Sequence, residues 1–381
     1  MLNRLKLLSL LIISAVIAAV QGCGSIPLME EKTDTTQNPE ILFGTAHGVN
    51  GDGNIVVGES TSREGVRGVR WAINPPTFAA LNPSSGWTRS SANDVSENAA
   101  ITVGYSARGR SERTMSEWIQ SAVITEDPRA LTNEIDSSEA YGVSRDGNIV
   151  VGWIKNAQGN RRAAYVRLSD ESVNYLGVLP GGSESVAYGA NSDGSVIVGW
   201  SDSEDGLRAF RWEKTGSTTG TMRSIGVLSG GSESTAYAVN NDGTVVVGWS
   251  ALQDLTRRAF RWEKTGSTTG TMRSIGVLSG SRMCEANGVN SDGSVVVGWC
   301  DPPEGLRAFR WEKTGSTTGT IRSIGVLPDG NTSKAHAVNN DGTVIVGQSN
   351  INEDPLDQRP FRWVKTPGTQ TGVMGILPLL P

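Results

Sequence analysis

A short pattern of apolar and polar residues recurs along the chain, and its clearest copy covers residues 236–249. It begins with Ala-Tyr-Ala-Val, continues through the polar stretch Asn-Asn-Asp-Gly at 240–243, and ends in three valines at 245–247 followed by Gly-Trp. Asn opens a turn and Gly tolerates the left-handed position, so the polar stretch predicts a three-residue hairpin loop with a bulge. The valine run is typical of a strand covered on both faces. The segment is therefore predicted to be a β-hairpin.

The same hairpin pattern is found seven times. Its turns lie at 50–53, 96–99, 144–147, 191–194, 240–243, 290–293 and 339–342. The first positions are separated by 46, 48, 47, 49, 50 and 49 residues, and a near-constant step of this size is typical of a repeat architecture. The second copy is degenerate, because Ala99 replaces the turn glycine.

Each repeat contains four strand-length runs separated by turn residues. After the hairpin come a polar loop, a segment such as Arg-Ala-Phe-Arg-Trp, and a Thr-Gly-Ser loop that leads to a fourth run. Residues 208–230 recur verbatim at 258–280, and 307–327 differs only by Ile321. Residues repeated in this way cannot each have a unique catalytic role.

The repeats predict an all-β fold, a seven-bladed β-propeller of four-stranded antiparallel sheets that covers 41–381. One sheet cannot cover both of its faces, whereas neighbouring sheets in a ring can. Large apolar side chains recur in the copies: Trp71, Trp118, Trp153, Trp200, Trp212, Trp249, Trp262, Trp299, Trp311 and Trp363. The small-residue first strand is expected nearest the axis. Either 41–44 or 375–378 is expected to pair across the seam, and an open β-solenoid is the alternative fold.

The first 22 residues are predicted to be a signal peptide rather than part of the fold. Arg4 and Lys6 precede an apolar run at 7–20, which is shorter than the ~20 residues of a membrane-spanning helix. Val-Gln-Gly-Cys at 20–23 resembles the lipobox of bacterial lipoproteins, which implies that Cys23 is lipidated and anchors the protein to a membrane. An ordinary signal peptide with an incidental cysteine is the alternative. Residues 23–40 are polar and are expected to form a flexible tether.

Charge and cysteine content refine this picture. The net charge of −5 without a basic patch argues against nucleic acid as a partner. If Cys23 is lipidated, the two remaining cysteines are Cys284 and Cys300, which lie in one hairpin. A three-residue turn centred on Asp292 pairs residues whose numbers sum to 584, so the two cysteines should lie opposite each other. A cross-strand disulfide is predicted, with two free thiols as the alternative.

Three motifs together resemble the HAF family of bacterial extracellular repeats. They are Gly-Val-Asn-x-Asp-Gly-x-Val-Val-Gly, Arg-Ala-Phe-Arg-Trp and Leu-Gly-x-Leu-Pro-Gly-Gly. Arg replaces the name-giving histidine of the family at Arg208, Arg258 and Arg307, and Pro360 also replaces its alanine. The resemblance covers residues from 41 to the C-terminus. It implies an exported or surface protein and supplies no active site.

Groups for catalysis and metal binding are scarce. Two histidines without a Ser-His-Asp arrangement offer little for nucleophilic catalysis, and no Cys/His spacing predicts a metal site. The Asn-x-Asp-Gly turns lack the alternating carboxylates of a calcium loop, so a plain turn is favoured over calcium. We expect the turn aspartates to accept from repeat arginines such as Arg208 or Arg211. No catalytic residue, metal or cofactor is predicted.

One position varies among polar and aromatic residues while its neighbours stay small or apolar. It is the second residue of each inner strand: His47, Asn93, Tyr141, Tyr188, Tyr237, Asn287 and His336. In a closed ring these residues would form a belt at the central channel, with His47 and His336 on adjacent blades, and such surfaces suit sugars and polar ligands. Alternatively, they are core between the blades.

The sequence thus predicts a lipid-anchored binding or interaction module of the cell envelope, in particular an outer-membrane lipoprotein. Its expected ligand is a glycan or another envelope protein. A propeller glycan hydrolase or lyase is the alternative, and it would need a pair of carboxylates unique to one or two blades. Glu59, at a position where other blades carry Trp, is the one unusual acid.

Overall fold

The computed structural model describes residues 43–109, 112–119, 129–130 and 137–381, and within them the regular structure is β-strand throughout. The predicted signal peptide, the tether and Cys23 lie outside these residues. In the described part of the chain there is no helix long and apolar enough to cross a membrane.

The strands form seven antiparallel sheets, and each sheet takes four strands that are consecutive in sequence. Blade 1 contains β1 (Gly44–Val49), β2 (Ile55–Ser62), β3 (Gly65–Ala72) and β4 (Thr77–Leu81). Blade 2 contains β5 (Arg89–Val95), β6 (Ile101–Arg108), β7 (Glu112–Ile119) and β8 (Arg129–Ala130). Blade 3 contains β9 (Ser138–Val143), β10 (Ile149–Lys155), β11 (Arg161–Arg167) and β12 (Ser172–Gly177).

The remaining four blades include the nearly identical copies. Blade 4 contains β13 (Ser185–Ala190), β14 (Val196–Ser201), β15 (Arg208–Lys214) and β16 (Gly220–Ser224). Blade 5 contains β17 (Gly231–Val239), β18 (Val245–Leu252), β19 (Arg257–Lys264) and β20 (Gly270–Ser274). Blade 6 contains β21 (Cys284–Val289), β22 (Val295–Cys300), β23 (Arg307–Lys313) and β24 (Gly319–Gly325). Blade 7 contains β25 (Ser333–Val338), β26 (Val344–Asn350), β27 (Gln358–Lys365) and β28 (Gly372–Ile376).

The blades close into a ring. The second strand of each blade packs against the first strand of the next, and β1 of the first blade packs against β25, β26 and β27 of the last. The predicted seven-bladed β-propeller is therefore confirmed, and the open solenoid is excluded because its two ends would not meet.

The hydrophobic core lies between the blades. At the interface of blades 4 and 5, for example, Val198 and Ala209 pack with Ala236, Phe260 and Trp262, all of them buried. A buried large apolar side chain contributes about 1.5–3 kcal/mol relative to an exposed one. The valine run and the Trp of each repeat thus stabilise the ring only in the presence of a neighbouring blade.

The seam between blades 7 and 1 is closed by side-chain packing rather than by strand exchange. In the described residues β1 pairs only with β2, and β28 only with β27, so the expectation that a terminal segment pairs across the seam is wrong there. Instead, Leu377 and Leu380 enter the core around Trp71. The Trp71 Nε1 donates to the carbonyl oxygen of Pro378 (2.8 Å), and the Leu380 N–H donates to the Ser60 Oγ (3.1 Å).

Candidate binding site in the central channel

All seven predicted site residues occupy the same β-bulge of the innermost strand. In blade 4, Ala187 pairs with Gly199 and Gly189 pairs with Val198, so Tyr188 is left without a partner in the ladder. The register shifts at the equivalent position in each of the other six blades. A bulge turns a side chain away from the alternation of its strand. The fold therefore presents one variable side chain per blade at the same level of the channel.

The bulge explains the glycine that follows the valine run in every repeat. A Cβ on Gly248 would lie 1.9 Å from the carbonyl oxygen of Thr235, on the strand that bulges two residues later at Tyr237. Any larger residue would collide with that backbone. The glycine of the Val-Val-Gly motif thus leaves room for the backbone of the bulged strand.

The hairpin loop is one residue longer than predicted. The Asn290 N–H donates to the carbonyl oxygen of Val295, and Val289 pairs with Val296, so residue numbers near the turn sum to 585 rather than 584. The bulge at Asn287 removes this offset, and Cys284 lies directly opposite Cys300.

The two cysteine sulfurs form a disulfide, with the Cα atoms 4.1 Å apart. The neighbouring pair carries the ladder hydrogen bond, from the Asp301 N–H to the carbonyl oxygen of Met283. Cys284 and Cys300 therefore occupy a non-hydrogen-bonded pair, where side chains lie closer together.

The turn aspartates accept hydrogen bonds locally. The Asp242 Oδ1 accepts from the Thr244 N–H (2.9 Å) and from its Oγ1 (2.6 Å). Arg211 donates instead to the carbonyl oxygen of Gly243 (3.3 Å from Nε) and to Glu213 (2.9 Å). The expected pairing of turn aspartates with Arg208 or Arg211 is wrong, because the Asx turn already satisfies the carboxylate.

At one end of the channel the seven hairpin turns are hydrogen-bonded to one another around the axis. The main-chain bonds run from Glu97 to Arg145, Asp146 to Ser192, Ser192 to Asn241, Asn241 to Ser291, Ser291 to Asn340 and Asn340 to Gly51. The Asn50 Nδ2 supplies the remaining step by donating to the carbonyl oxygen of Glu97 (3.2 Å). We call this the turn ring.

Three side chains of the turn ring meet although they belong to blades 2, 3 and 7. The Asn340 side chain donates to the Glu97 carboxylate (2.8 Å) and accepts from Arg145. Blade 3 and blade 7 are not neighbours, so these contacts reach across the axis. The turn ring therefore constricts the channel at its own end, and a ligand for the belt would enter from the opposite end.

Between the turn ring and the belt lies an acid that the sequence analysis missed. Asp94 stands where the other six inner strands carry Gly or Ala. It accepts from the Val95 N–H (2.8 Å) and from the Val143 N–H of blade 3 (3.1 Å). Burial raises the pKa of Asp94 to about 6, although these hydrogen bonds and Arg145 act in the opposite direction.

The three tyrosines form an aromatic arc over blades 3 to 5. The ring centroids of Tyr141 and Tyr188 are 4.9 Å apart, and those of Tyr188 and Tyr237 are 5.2 Å apart. The Trp200 Nε1 donates to the Tyr188 hydroxyl (3.2 Å), and the Trp249 Nε1 to that of Tyr237 (3.0 Å). Tyr188 is only 8% exposed, so at this position the core interpretation holds.

The four remaining belt residues form a polar arc over blades 6, 7, 1 and 2. The Asn93 Nδ2 donates to the carbonyl oxygen of Ala140 (2.7 Å), and the Asn287 Nδ2 to that of Ala335 (2.8 Å), each in the next blade. His47 makes the equivalent contact through Nδ1, 3.0 Å from the Ala92 oxygen. These side chains are half-buried, so they link blades and also border the channel.

His47 and His336 lie on adjacent blades across the seam, with ring centroids 6.0 Å apart. The His336 Nε2 is buried and has no hydrogen-bond partner in the described structure. Burial lowers the pKa of His336 to about 3, and the proximity of His47 and Lys334 lowers it further, whereas a hydrogen bond with Gln348 acts in the opposite direction. The imidazole is therefore neutral at physiological pH.

A second layer of polar side chains lies two residues before the belt, and the sequence analysis missed it as well. The buried Glu139 pairs with Arg113 of blade 2 (3.0 Å), and the buried Glu285 pairs with Arg257 of blade 5 (2.6 Å). Burial raises the pKa of both carboxyls against the effect of the arginines. An acid at a position where the other blades carry Thr, Ser, Val or Lys was the available sequence signal.

Glu59 belongs to this layer. It lies opposite Thr45 and forms no hydrogen bond or ion pair with another described residue. The Arg113 guanidinium lies over the ring of Tyr105 in blade 2, with its carbon 4.5 Å from the ring centroid. Burial raises the pKa of Tyr105, and the charges of Glu59 and Glu139 raise it further, so both carboxylates act on this one tyrosine. In the described residues no three His, Cys, Asp or Glu side chains cluster as metal ligands would.

Fold and site define the class of the protein as a seven-bladed β-propeller with a polar and aromatic central channel. A puromycin-hydrolysing peptidase of Mycobacterium tuberculosis is similar in structure, with a TM-score of 0.61 and 12% identity over 89% of this chain and 53% of the peptidase. Prolyl oligopeptidase B of Galerina marginata has a TM-score of 0.58 at 11% identity, over 90% of this chain and 50% of that one. An oligogalacturonate lyase of Vibrio parahaemolyticus has a TM-score of 0.54 at 12% identity, over 82% of this chain and 89% of the lyase.

These identities show the shared fold alone, and this chain spans about half the length of the two peptidases. No protein-family model matches the sequence, and no curated protein matches it.

Proposed function

We propose that this protein is an exported, lipid-anchored binding module of the cell envelope, and that it holds a glycan in the central channel without transforming it. The observation that carries the proposal is the seven-fold bulge. It places a variable side chain at the same level in every blade, between an alanine and, except at Asp94, a glycine or alanine. A ring that presents a different side chain from each blade at one level is suited to an asymmetric ligand.

The chemistry of the belt favours a carbohydrate. Its aromatic arc presents Tyr141 and Tyr237, and its polar arc presents amide and imidazole groups from Asn93, Asn287 and His336. Aromatic faces contact the apolar faces of sugar rings, and a few fixed polar groups orient hydroxyls. The turn ring constricts one end, so the end of a sugar chain fits better than a folded protein.

The envelope location is proposed from the sequence. The positive residues, the apolar run and Cys23 support a lipoprotein signal, and the repeat motifs support the resemblance to the HAF family. Incorporation of labelled palmitate into the full-length protein, lost in a Cys23→Ser variant, is the expected result. A soluble cytoplasmic protein without label would contradict this part of the proposal.

The ligand is tested with the full-length protein on a glycan array, with His336→Asn as the belt variant. His336 is chosen because, in the described structure, it forms no hydrogen bond to the backbone of the next blade, unlike Asn93 and Asn287. We expect binding of at least one glycan, weakened about tenfold or more in the variant, with an unchanged melting temperature. Arg63→Gln, an exposed change elsewhere, is the control. Glycan binding unaffected by the belt variant, or retention of an envelope protein and no glycan, would overturn the assignment.

Glycan hydrolysis or elimination is a second candidate, favoured by the two carboxylates that act on Tyr105. It requires turnover of the bound glycan that is lost in Glu59→Gln, since Glu59 forms no hydrogen bond or ion pair with another residue that the structure describes. Release of new reducing or unsaturated ends would establish it, and a bound glycan recovered unchanged would exclude it.

A further inference from the structure

Equivalent sets of residues recur at three consecutive interfaces on the outer strands of blades 4 to 7, away from the belt, and two of these interfaces form a cleft. One lies between blades 4 and 5 and has a volume of about 210 Å³, and another lies between blades 6 and 7 with about 280 Å³. The first is lined by Arg211, Glu213 and Arg223 on one side and by Trp262 and Thr269 on the other. We call these spaces the edge clefts.

The interface between blades 5 and 6 is built from equivalent residues, and we infer a third edge cleft there. Arg261 lies over the Trp311 ring (6.0 Å to the centroid), as Arg211 lies over Trp262 (5.9 Å). Lys313 of blade 6 reaches Glu263 of blade 5 at 3.6 Å, as Lys264 reaches Glu213 at 3.1 Å. The near-verbatim repeats thus place equivalent residues at three consecutive interfaces.

Each edge cleft places two arginines directly opposite each other on neighbouring strands. The pairs are Arg211 with Arg223, Arg261 with Arg273, and Arg310 with Arg322. In blades 1, 3 and 7 the equivalent pairs are Arg70 with Ala79, Tyr165 with Asn174, and Arg362 with Gly375. Like charges directly opposite one another are destabilising, so the arrangement has a cost that a bound anion would offset.

The two arginines of a pair differ in their surroundings. Arg211 is buried at 7% exposure and is held by Glu213 and by the Gly243 carbonyl oxygen. Arg223, Arg273 and Arg322 are exposed, and their side chains form no hydrogen bond or ion pair with a described residue. Each cleft therefore offers a fixed guanidinium and a free one.

The local charge is opposite in sign to that of the whole chain. Two arginines against one glutamate leave a net charge of +1 in the cleft lining, or +2 with the lysine that pairs with the glutamate, whereas the chain carries −5. The cleft volumes are below the 300–1,000 Å³ of sites for drug-sized ligands. One cleft is thus large enough for a single charged group and not for a whole large ligand.

We propose that the edge clefts bind an acidic polysaccharide, with one carboxylate or sulfate group of the polymer in each cleft between the two arginines. Three identical sites at successive interfaces match a ligand that is itself a repeat of identical charged units. The surface of a folded protein has no such repeat. Linked weak sites bind far more tightly than one, because after the first contact the others become intramolecular.

The test measures binding of the full-length protein to oligogalacturonates of increasing length, with uncharged dextran as the reference. We expect affinity to rise by at least about tenfold once an oligomer spans two clefts, and to fall with added salt. Arg223→Gln with Arg322→Gln is expected to weaken the long oligomers about tenfold or more. Arg63→Gln with Arg282→Gln, two exposed arginines outside the clefts, makes the same charge change and should have less than about a twofold effect.

Three outcomes would overturn the proposal. Equal losses in the two double variants would show general charge attraction, and an affinity independent of oligomer length would exclude linked sites. Tighter binding of anionic phospholipid vesicles or a poly-glutamate peptide at the same salt would assign the clefts to another class of ligand. Because the His336→Asn belt variant retains the clefts, it should bind oligogalacturonates of every length like the unaltered protein, which separates this site from the channel.

Discussion

The Arg362 Nε donates to the carbonyl oxygen of Gly53 at 3.3 Å and so joins the last blade to the first across 309 residues of sequence. The same bond connects blades 4, 5 and 6 to their successors, for example from Arg310 to Gly342 (3.4 Å). The seam therefore uses the same contact as the ordinary interfaces. The arginine reaches the turn of the next blade, where the backbone bends and leaves a carbonyl oxygen free to accept.

Replacing Arg362 with Met should lower the free energy of unfolding by about 1–2 kcal/mol, since the Gly53 carbonyl loses a charged donor. Arg310→Met should cost more, because Glu312 also loses its partner at 2.8 Å, whereas blade 7 has Val364 at that position. Urea unfolding of both variants would measure the difference. If Arg362→Met lowers the free energy of unfolding no more than the exposed Arg63→Met does, the hydrogen bond across the seam does not stabilise the fold.

Leu380→Ala should destabilise the protein by about 2–4 kcal/mol, because the side chain is 8% exposed and packs in the core around Trp71. Leu356, which is 51% exposed, provides the matched control, and Leu356→Ala should cost less than about 0.5 kcal/mol. Thermal unfolding followed by circular dichroism would compare them. Equal melting temperatures for the two variants would mean that the C-terminal segment does not close the ring.

The pairing of Cys284 with Cys300 predicts the thiol count. In a Cys23→Ser background, the unfolded chain should show no free thiol without reductant and two with it. Replacing both cysteines with Ser should lower stability by about 2–4 kcal/mol, since the bond closes a loop with a sequence separation of 16. Two thiols titrating in the absence of reductant would establish the free-thiol alternative.

Asp94 predicts a specific dependence of stability on pH. Its pKa is about 6 in the folded protein and near 3.8 ordinarily, so between these values the folded state holds a proton that the unfolded chain releases. The favourable contribution is complete below about pH 4 and is lost as the pH rises through 6. Asp94→Asn should therefore stabilise the protein at pH 7–8, relative to the unaltered chain, by on the order of 1–2 kcal/mol.

The measurement is the difference in unfolding free energy between Asp94→Asn and the unaltered protein from pH 4 to pH 8. Taking the difference removes the contribution of His336, whose lowered pKa acts in the opposite direction by reducing stability as the pH falls. A difference that stays constant across this range would show that the carboxyl of Asp94 does not titrate there.

The sequence by itself determined the repeat, the hairpins and the number of blades. A hairpin such as that around Asn240 and Gly243 depends on local turn chemistry, and the valine run requires cover on both faces; both are properties of adjacent residues. Seven copies of a sheet that cannot cover its own faces already imply a closed ring. The belt positions could also be found from the sequence, because one residue per repeat varies between neighbours that are small in every blade except at Asp94.

Only the tertiary structure decided how the side chains of those residues are oriented and which residues they contact. The loop after Asn290 is one residue longer than the sequence predicts, which shifts the register of the hairpin by one residue. The bulge at Asn287 shifts the register back by one residue, so Cys284 lies opposite Cys300. The turn ring, the bond from Arg362 to Gly53 and the Glu139–Arg113 pair each join different blades. Such contacts depend on the spacing between sheets, which no local pattern encodes, because it is set when all seven blades pack around one axis.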